Sequence, residues 1–157
     1  MHSIAVVLHL LGTVVWVGGM FFAHVALRPA AQELLEPAQR LPLLKRVLDR
    51  FFLWVWVAML VTLASGYYMF FATYGGKPLV YVHIMSLLGL IMAAIFLLIW
   101  FLPYRKMGKA LQAGDIANAA IQMGTIRLLI LVNLALGLFE VVLGGAGIAL
   151  SAMMVKG

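Results

Sequence analysis

The chain has 157 residues, 66% of them hydrophobic, with 11 basic and 5 acidic side chains and a net charge of +6. A water-soluble domain is about a quarter charged, so this composition, with a mean hydropathy of +1.11, excludes one. The basic residues flank apolar runs, which points to orientation in a bilayer and not to nucleic acid. There is no cysteine, which removes disulfides, thiolate metal sites and thiolate-held iron–sulfur clusters.

The pattern predicts an all-α integral membrane protein, a four-helix bundle forming one transmembrane domain over residues 1–157. The first span, residues 4–27, is free of formal charge and closes on Arg28-Pro29. At about 1.5 Å per residue it crosses a hydrocarbon core of roughly 30 Å. No basic segment precedes it and more spans follow, so it reads as a span and not a cleaved leader. Residues 28–50 form a polar link. Within it, Pro42 to Arg50 reads as a short amphipathic helix, lying at the interface or running straight into the next span.

Span two covers residues 51–73, with Trp54, Trp56, Tyr67 and Tyr68 suited to the two interfacial belts. Tyr74-Gly75-Gly76-Lys77-Pro78 has the composition of a tight turn. Span three is 79–102. A second polar link, 103–120, contains Asp115 as a helix N-cap. Span four is 121–143 and carries Arg127, Asn133 and Glu140. Eight basic residues lie in or beside the two links (Arg28, Arg40, Lys45, Arg46, Arg50, Arg105, Lys106 and Lys109), against Lys77 and Lys156 on the other side. The positive-inside bias then places both links in the cytoplasm and both termini in the periplasm, for a multi-pass protein of the bacterial inner membrane.

An imidazole inside lipid is costly unless something engages it, so intramembrane histidines are candidate site residues. His9 and His83 each lie roughly 6–8 Å inside the outer boundary, counted by helical rise. Two imidazoles at one depth on different helices are what a bis-histidine haem b requires. Gly12, Trp16 and Gly19 follow His9 on its side of span one and would line the pocket. Ser86 and Gly89 are the small residues after His83. Asn133 and Glu140 would support the ligands from span four. Arg127 would neutralise a carboxylate or lipid phosphate from the inner side.

His24 is about 22 Å deeper than His9 and reads as a bridge between helices or a second metal position. Copper is the alternative ligand, through the histidines and some of the ten methionines, although Met is also an ordinary apolar filler. A third reading is a non-catalytic membrane assembly subunit whose histidines tie helices together.

Several stretches resemble the CopD-like membrane proteins, which are associated with copper resistance or uptake. They are Leu8-His9, Val15-Trp16-Val17-Gly18-Gly19-Met20-Phe21, Leu27-Arg28-Pro29-Ala30, Val82-His83-Ile84-Met85, Pro103-Tyr104-Arg105, and Arg127 with Asn133. A weaker likeness is to the four-helix, haem-binding protoporphyrinogen oxidase of the HemJ type, and implies haem at His9 and His83. The chain lacks that family's lysine before the first-span histidine, and Leu134 follows the asparagine where that family has an acidic residue.

The leading expectation is therefore a haem b protein for electron transfer or oxidoreductase chemistry in the outer half of the membrane. It would be a homo-oligomer in membrane lipid, with a quinol or small redox partner. The haem would carry the electron, and no catalytic side chain is named.

Overall fold

The structure is a computed structural model that describes residues 2–72, 75 and 79–154, with side chains as far as Gly147. It contains four long helices: α1 (His2–Leu34), α2 (Pro37–Ala72), α3 (Val80–Gln112) and α4 (Ile116–Met154). All four are long and apolar enough to cross a membrane, and no strand occurs among the described residues. The turn expected at residues 74–78 lies outside the described residues except for Gly75, whose φ is 57°. Lys156 also lies outside them.

The helices outrun the apolar spans. At about 1.5 Å per residue, α1 and α3 are each roughly 50 Å long, against a hydrocarbon core of roughly 30 Å. The link expected over 28–50 is therefore mostly helix. Leu35 adopts an extended conformation, with φ −129° and ψ 134°, and α2 starts at Pro37. There the missing N–H of proline does no harm, and the Glu36 carbonyl accepts from the amides of Gln39 (3.0 Å) and Arg40 (2.8 Å). The segment 42–50 runs directly into span two. The second link is also short. The amide of Asn118 donates to Asp115 Oδ1 at 2.9 Å, so Asp115 caps α4 as expected.

Two of the four helices are not uniform. α1 contains wide π-helical turns at Val14–Gly18 and Ala23–Leu27, and α3 contains one at Trp100–Tyr104. Two have a proline cause. Pro29 and Pro103 cannot donate an amide, and their rings press on the preceding turn, which widens. The third holds the β-branched Val14, Val15 and Val17 and ends at a glycine pair.

Neighbouring helices run antiparallel. Gly12 of α1 lies against Thr62 and the Ala58 carbonyl of α2, and Gly19 lies against the Phe51 ring. α2 meets α3 through aromatic edges. Phe52 and Trp56 stand against Phe96 with centroids 5.5 and 5.3 Å apart, and Phe52 stands against Tyr104 at 5.1 Å. Val17 of α1 reaches Gly137 of α4. All four helices therefore share one buried core, to which Trp16, Met20, Phe52, Met59, Met92 and Phe96 belong. Large apolar side chains such as Leu53, Val80 and Val142 point outward, as contact with lipid requires.

At the basic end of the bundle Asp49 accepts hydrogen bonds from Lys45 and from the Tyr104 hydroxyl, the latter at 2.5 Å. The Lys45 ammonium also lies 4.3 Å from the Tyr104 ring centre. This clasp fastens α2 to α3 just beyond the apolar run.

The glycine contacts have a measurable consequence. A Cβ at position 12 would overlap Thr62 Oγ1 and stand 3.0 Å from the Ala58 carbonyl, whereas one at position 18 would meet nothing within 4 Å. Gly12→Ala is expected to destabilise the protein by about 1–3 kcal/mol. Gly18→Ala is expected to be neutral or stabilising by up to about 1 kcal/mol. Reversible unfolding in mixed micelles checks both.

Candidate functional site

His9 is half-buried and turned toward α2. Its Nδ1 lies 2.9 Å from the Thr62 carbonyl oxygen and 3.3 Å from Ser65 Oγ. A carbonyl can only accept, so Nδ1 carries the proton and Nε2 is the free nitrogen of the neutral ring. Ser65 already donates to the Val61 carbonyl at 2.6 Å, which leaves its lone pairs facing the imidazole. The ring fits because position 66 is glycine. A Cβ there would stand 3.2 Å from the ring carbon Cε1.

His83 lies elsewhere. It is exposed on α3, with its ring edge-on to Phe70 at a centroid separation of 5.3 Å. Phe70 is four residues beyond Gly66 on α2, about 6 Å along the axis. His9 thus looks into the α1–α2 contact, while α3 packs chiefly on α4. The faces of Gly12 and Gly19 expected to line a haem pocket are closed by Thr62 and Phe51 of α2, and Trp16 is buried in the protein core.

The second polar locus is the seam between α3 and α4. Successive side chains on one helix rest on glycines of the other. Tyr81 lies over Gly147, Met85 over Gly144, Glu140 over Gly89, and Met92 over Gly137. A Cβ at Gly144 would stand 3.2 Å from the Met85 methyl and 3.7 Å from its sulfur. One at Gly137 would stand 3.0 Å from the Met92 methyl. Glu140 therefore has a thioether one turn to either side along the seam, and Leu63 of α2 also approaches Gly89 beside it.

Glu140 Oε1 is buried and has no hydrogen-bond partner among the described residues, and neither has Asn133 Oδ1, two turns along α4. Asn133 is only 1% exposed. A carboxyl group so placed in a membrane needs a proton or a cation. Glu140 and His9 lie at one level of the bundle, since Leu63 sits beside the first and Thr62 and Gly66 beside the second.

Among the described residues no three His, Asp or Glu side chains converge on a point. A metal site built from those residue types alone is therefore not present in them, and the soft donors nearest to Glu140 are the two thioethers. His24 is separate. It lines a small cavity at the basic end with Arg28 and Arg127.

Thr62, Ser65 and Gly66 are not among the site residues expected from the sequence, although they form a small and polar stripe at helical spacing, i, i+3 and i+4, in an otherwise apolar run. Met85 and Met92 are likewise indistinguishable by composition from packing methionines, although seven residues place them on one face.

The family model described as copper resistance protein D matches residues 45–153. The match runs from Lys45 within α2 to Met153 within α4 and includes Met85, Met92, Glu140, Arg127 and Asn133. The haem and HemJ-type expectations gain no support from it. No curated protein and no solved structure matches the chain.

The hydrogen bond at His9 sets its tautomer. Nitrogen-15 NMR of ring-labelled protein at pH 8 is expected to show a protonated Nδ1 and a bare Nε2 for this residue. Ser65→Ala should leave that pattern in place, because the Thr62 carbonyl remains. The opposite tautomer would contradict the geometry.

Proposed function

This chain belongs to the copper resistance protein D family, and from that premise we propose that it binds copper(I) inside the bilayer as cargo, at the seam between α3 and α4. Glu140 supplies the carboxylate and Met85 and Met92 the thioethers. Thioether sulfur is a soft donor that suits Cu(I) and discriminates against the hard, more abundant cations. The single positive charge of Cu(I) is matched by the single carboxylate, so the loaded seam is neutral in lipid.

The observation that carries this reading is Glu140 Oε1, buried without a partner between two methionines on the facing helix. Asn133 Oδ1 continues the same stripe of α4 toward the basic end. His9, level with Glu140 on another side of α2, offers Nε2 as a further donor, and exposed His83 stands nearer that outer end. With the basic end on the cytoplasmic side of a bacterial inner membrane, the route would run from the periplasmic face inward.

The test pairs binding with uptake. Purified protein is titrated with Cu(I) against a chromophoric chelator, and cell copper is measured in a host expressing each variant. Replacing both thioethers, Met85→Leu with Met92→Leu, conserves volume and should cost less than about 1.5 kcal/mol of stability per site. It is expected to weaken Cu(I) binding at least tenfold and to abolish the expression-dependent change in cell copper. Glu140→Gln should weaken binding similarly. Wild-type affinity in both variants would overturn the proposal, as would a Soret band in purified protein that takes up no copper.

A further inference from the structure

At the opposite end from His9 lies a cavity of about 40 Å³ between α1, α2 and α4. By volume it admits roughly two or three waters or the head of a small oxyanion. Its walls are mostly apolar, with Leu48, Phe51 and Met123 among them, but three basic side chains border it: His24 and Arg28 from α1 and Arg127 from α4. Arg28 also lies within electrostatic range of Arg127 and of Arg40. Among the described residues no acidic side chain lines the cavity. The ion pair found among those residues, Lys45 with Asp49, belongs to the α2–α3 clasp. Folding thus brings like charges to the rim of an apolar cavity, with Arg127 exposed and Arg28 and His24 half-buried, an arrangement that an anion would relieve.

Backbone geometry points the same way. The wide turn Ala23–Leu27 contains His24 and ends at Arg28. One extra residue in a turn rotates every later residue of the helix by roughly 100° relative to an unbroken α-helix. The register of Arg28 on α1 is therefore set by this turn. Single π turns inside α-helices are frequent at functional sites.

We propose that this cavity binds a phosphate group, held by the guanidinium groups of Arg28 and Arg127 with His24 as a further donor. Planar guanidinium forks suit phosphate oxygens. The apolar walls fit the phosphate of an acidic phospholipid drawn from the surrounding leaflet, with its glycerol and acyl carbons along Leu48, Phe51 and Met123. Free inorganic phosphate shares the same chemistry. A copper cation is repelled here, so this site stands apart from the α3–α4 seam and does not depend on the function proposed for it.

The experiment uses the full chain, delipidated in a mild detergent. Native mass spectrometry and thermal unfolding are followed with three probes: phosphatidylglycerol, phosphatidylcholine and inorganic phosphate. Phosphatidylglycerol is expected to bind at least tenfold more tightly than phosphatidylcholine and to raise the unfolding temperature. Arg28→Gln and Arg127→Gln should each weaken it at least tenfold, while Arg105→Gln, outside the cavity, should change it less than twofold. Arg127→Lys should recover part of the loss.

Should Arg127→Gln fail to insert, Arg28→Gln and His24→Ala make the same comparison. Inorganic phosphate binding with the same mutant dependence, and no preference for phosphatidylglycerol, would support the site and assign it to the free ion. Equal binding of both lipids without phosphate binding would overturn the proposal. So would wild-type affinity in Arg28→Gln, or an equal loss in Arg105→Gln.

Discussion

Close approach of helix backbones is the constraint on which this bundle depends. In lipid, apolar side chains gain little by leaving their surroundings, so helices are held by packing contacts and by hydrogen bonds formed away from water. Here glycines admit the partner at each main seam. Gly12 and Gly19 bring α1 onto α2, and Gly89, Gly137 and Gly144 bring α4 onto α3. Each also makes room for a particular side chain: Thr62, Phe51, Glu140, Met92 and Met85 in turn. The same glycines that let the helices touch therefore decide where polar and sulfur-bearing groups come to rest.

The polar groups divide by how they are satisfied. His9 is held by Thr62 and Ser65, and Asp49 by Lys45 and Tyr104. Thr62 Oγ1, Asn133 Oδ1 and Glu140 Oε1 are buried without a partner among the described residues. A buried group without a partner costs on the order of 1–3 kcal/mol, and more when charged. The last two lie two turns apart on one stripe of α4, and that clustering is the ground on which the copper proposal rests.

Much of the architecture was legible in the sequence because it is written locally. Four long apolar runs, a basic excess at one end and the Asp115 cap each depend on residues near one another in the chain. Depth was legible to about a turn, since rise per residue is nearly constant. Azimuth was not. Helices apolar on every side leave rotation undefined, and each π turn in α1 and α3 shifts it again. Hence His83 could be placed within about a turn of His9 along the bundle but not on its exposed side, and the glycines of span one could be marked as close-approach sites but not assigned to Thr62 and Phe51. The family match favours copper as the relevant ligand where spacing alone had favoured haem.

α2 is a single rod from Pro37 to Ala72, with its one internal proline in the second turn, while α1 alongside it has two wide turns. A stiff member clamped beside a jointed one cannot bend to share a load. The Asp49 clasp and the Thr62–Ser65 shelf under His9 stand on that one unbroken rod, 13 to 16 residues and so roughly 20–24 Å apart, and their spacing is therefore held by α2 alone.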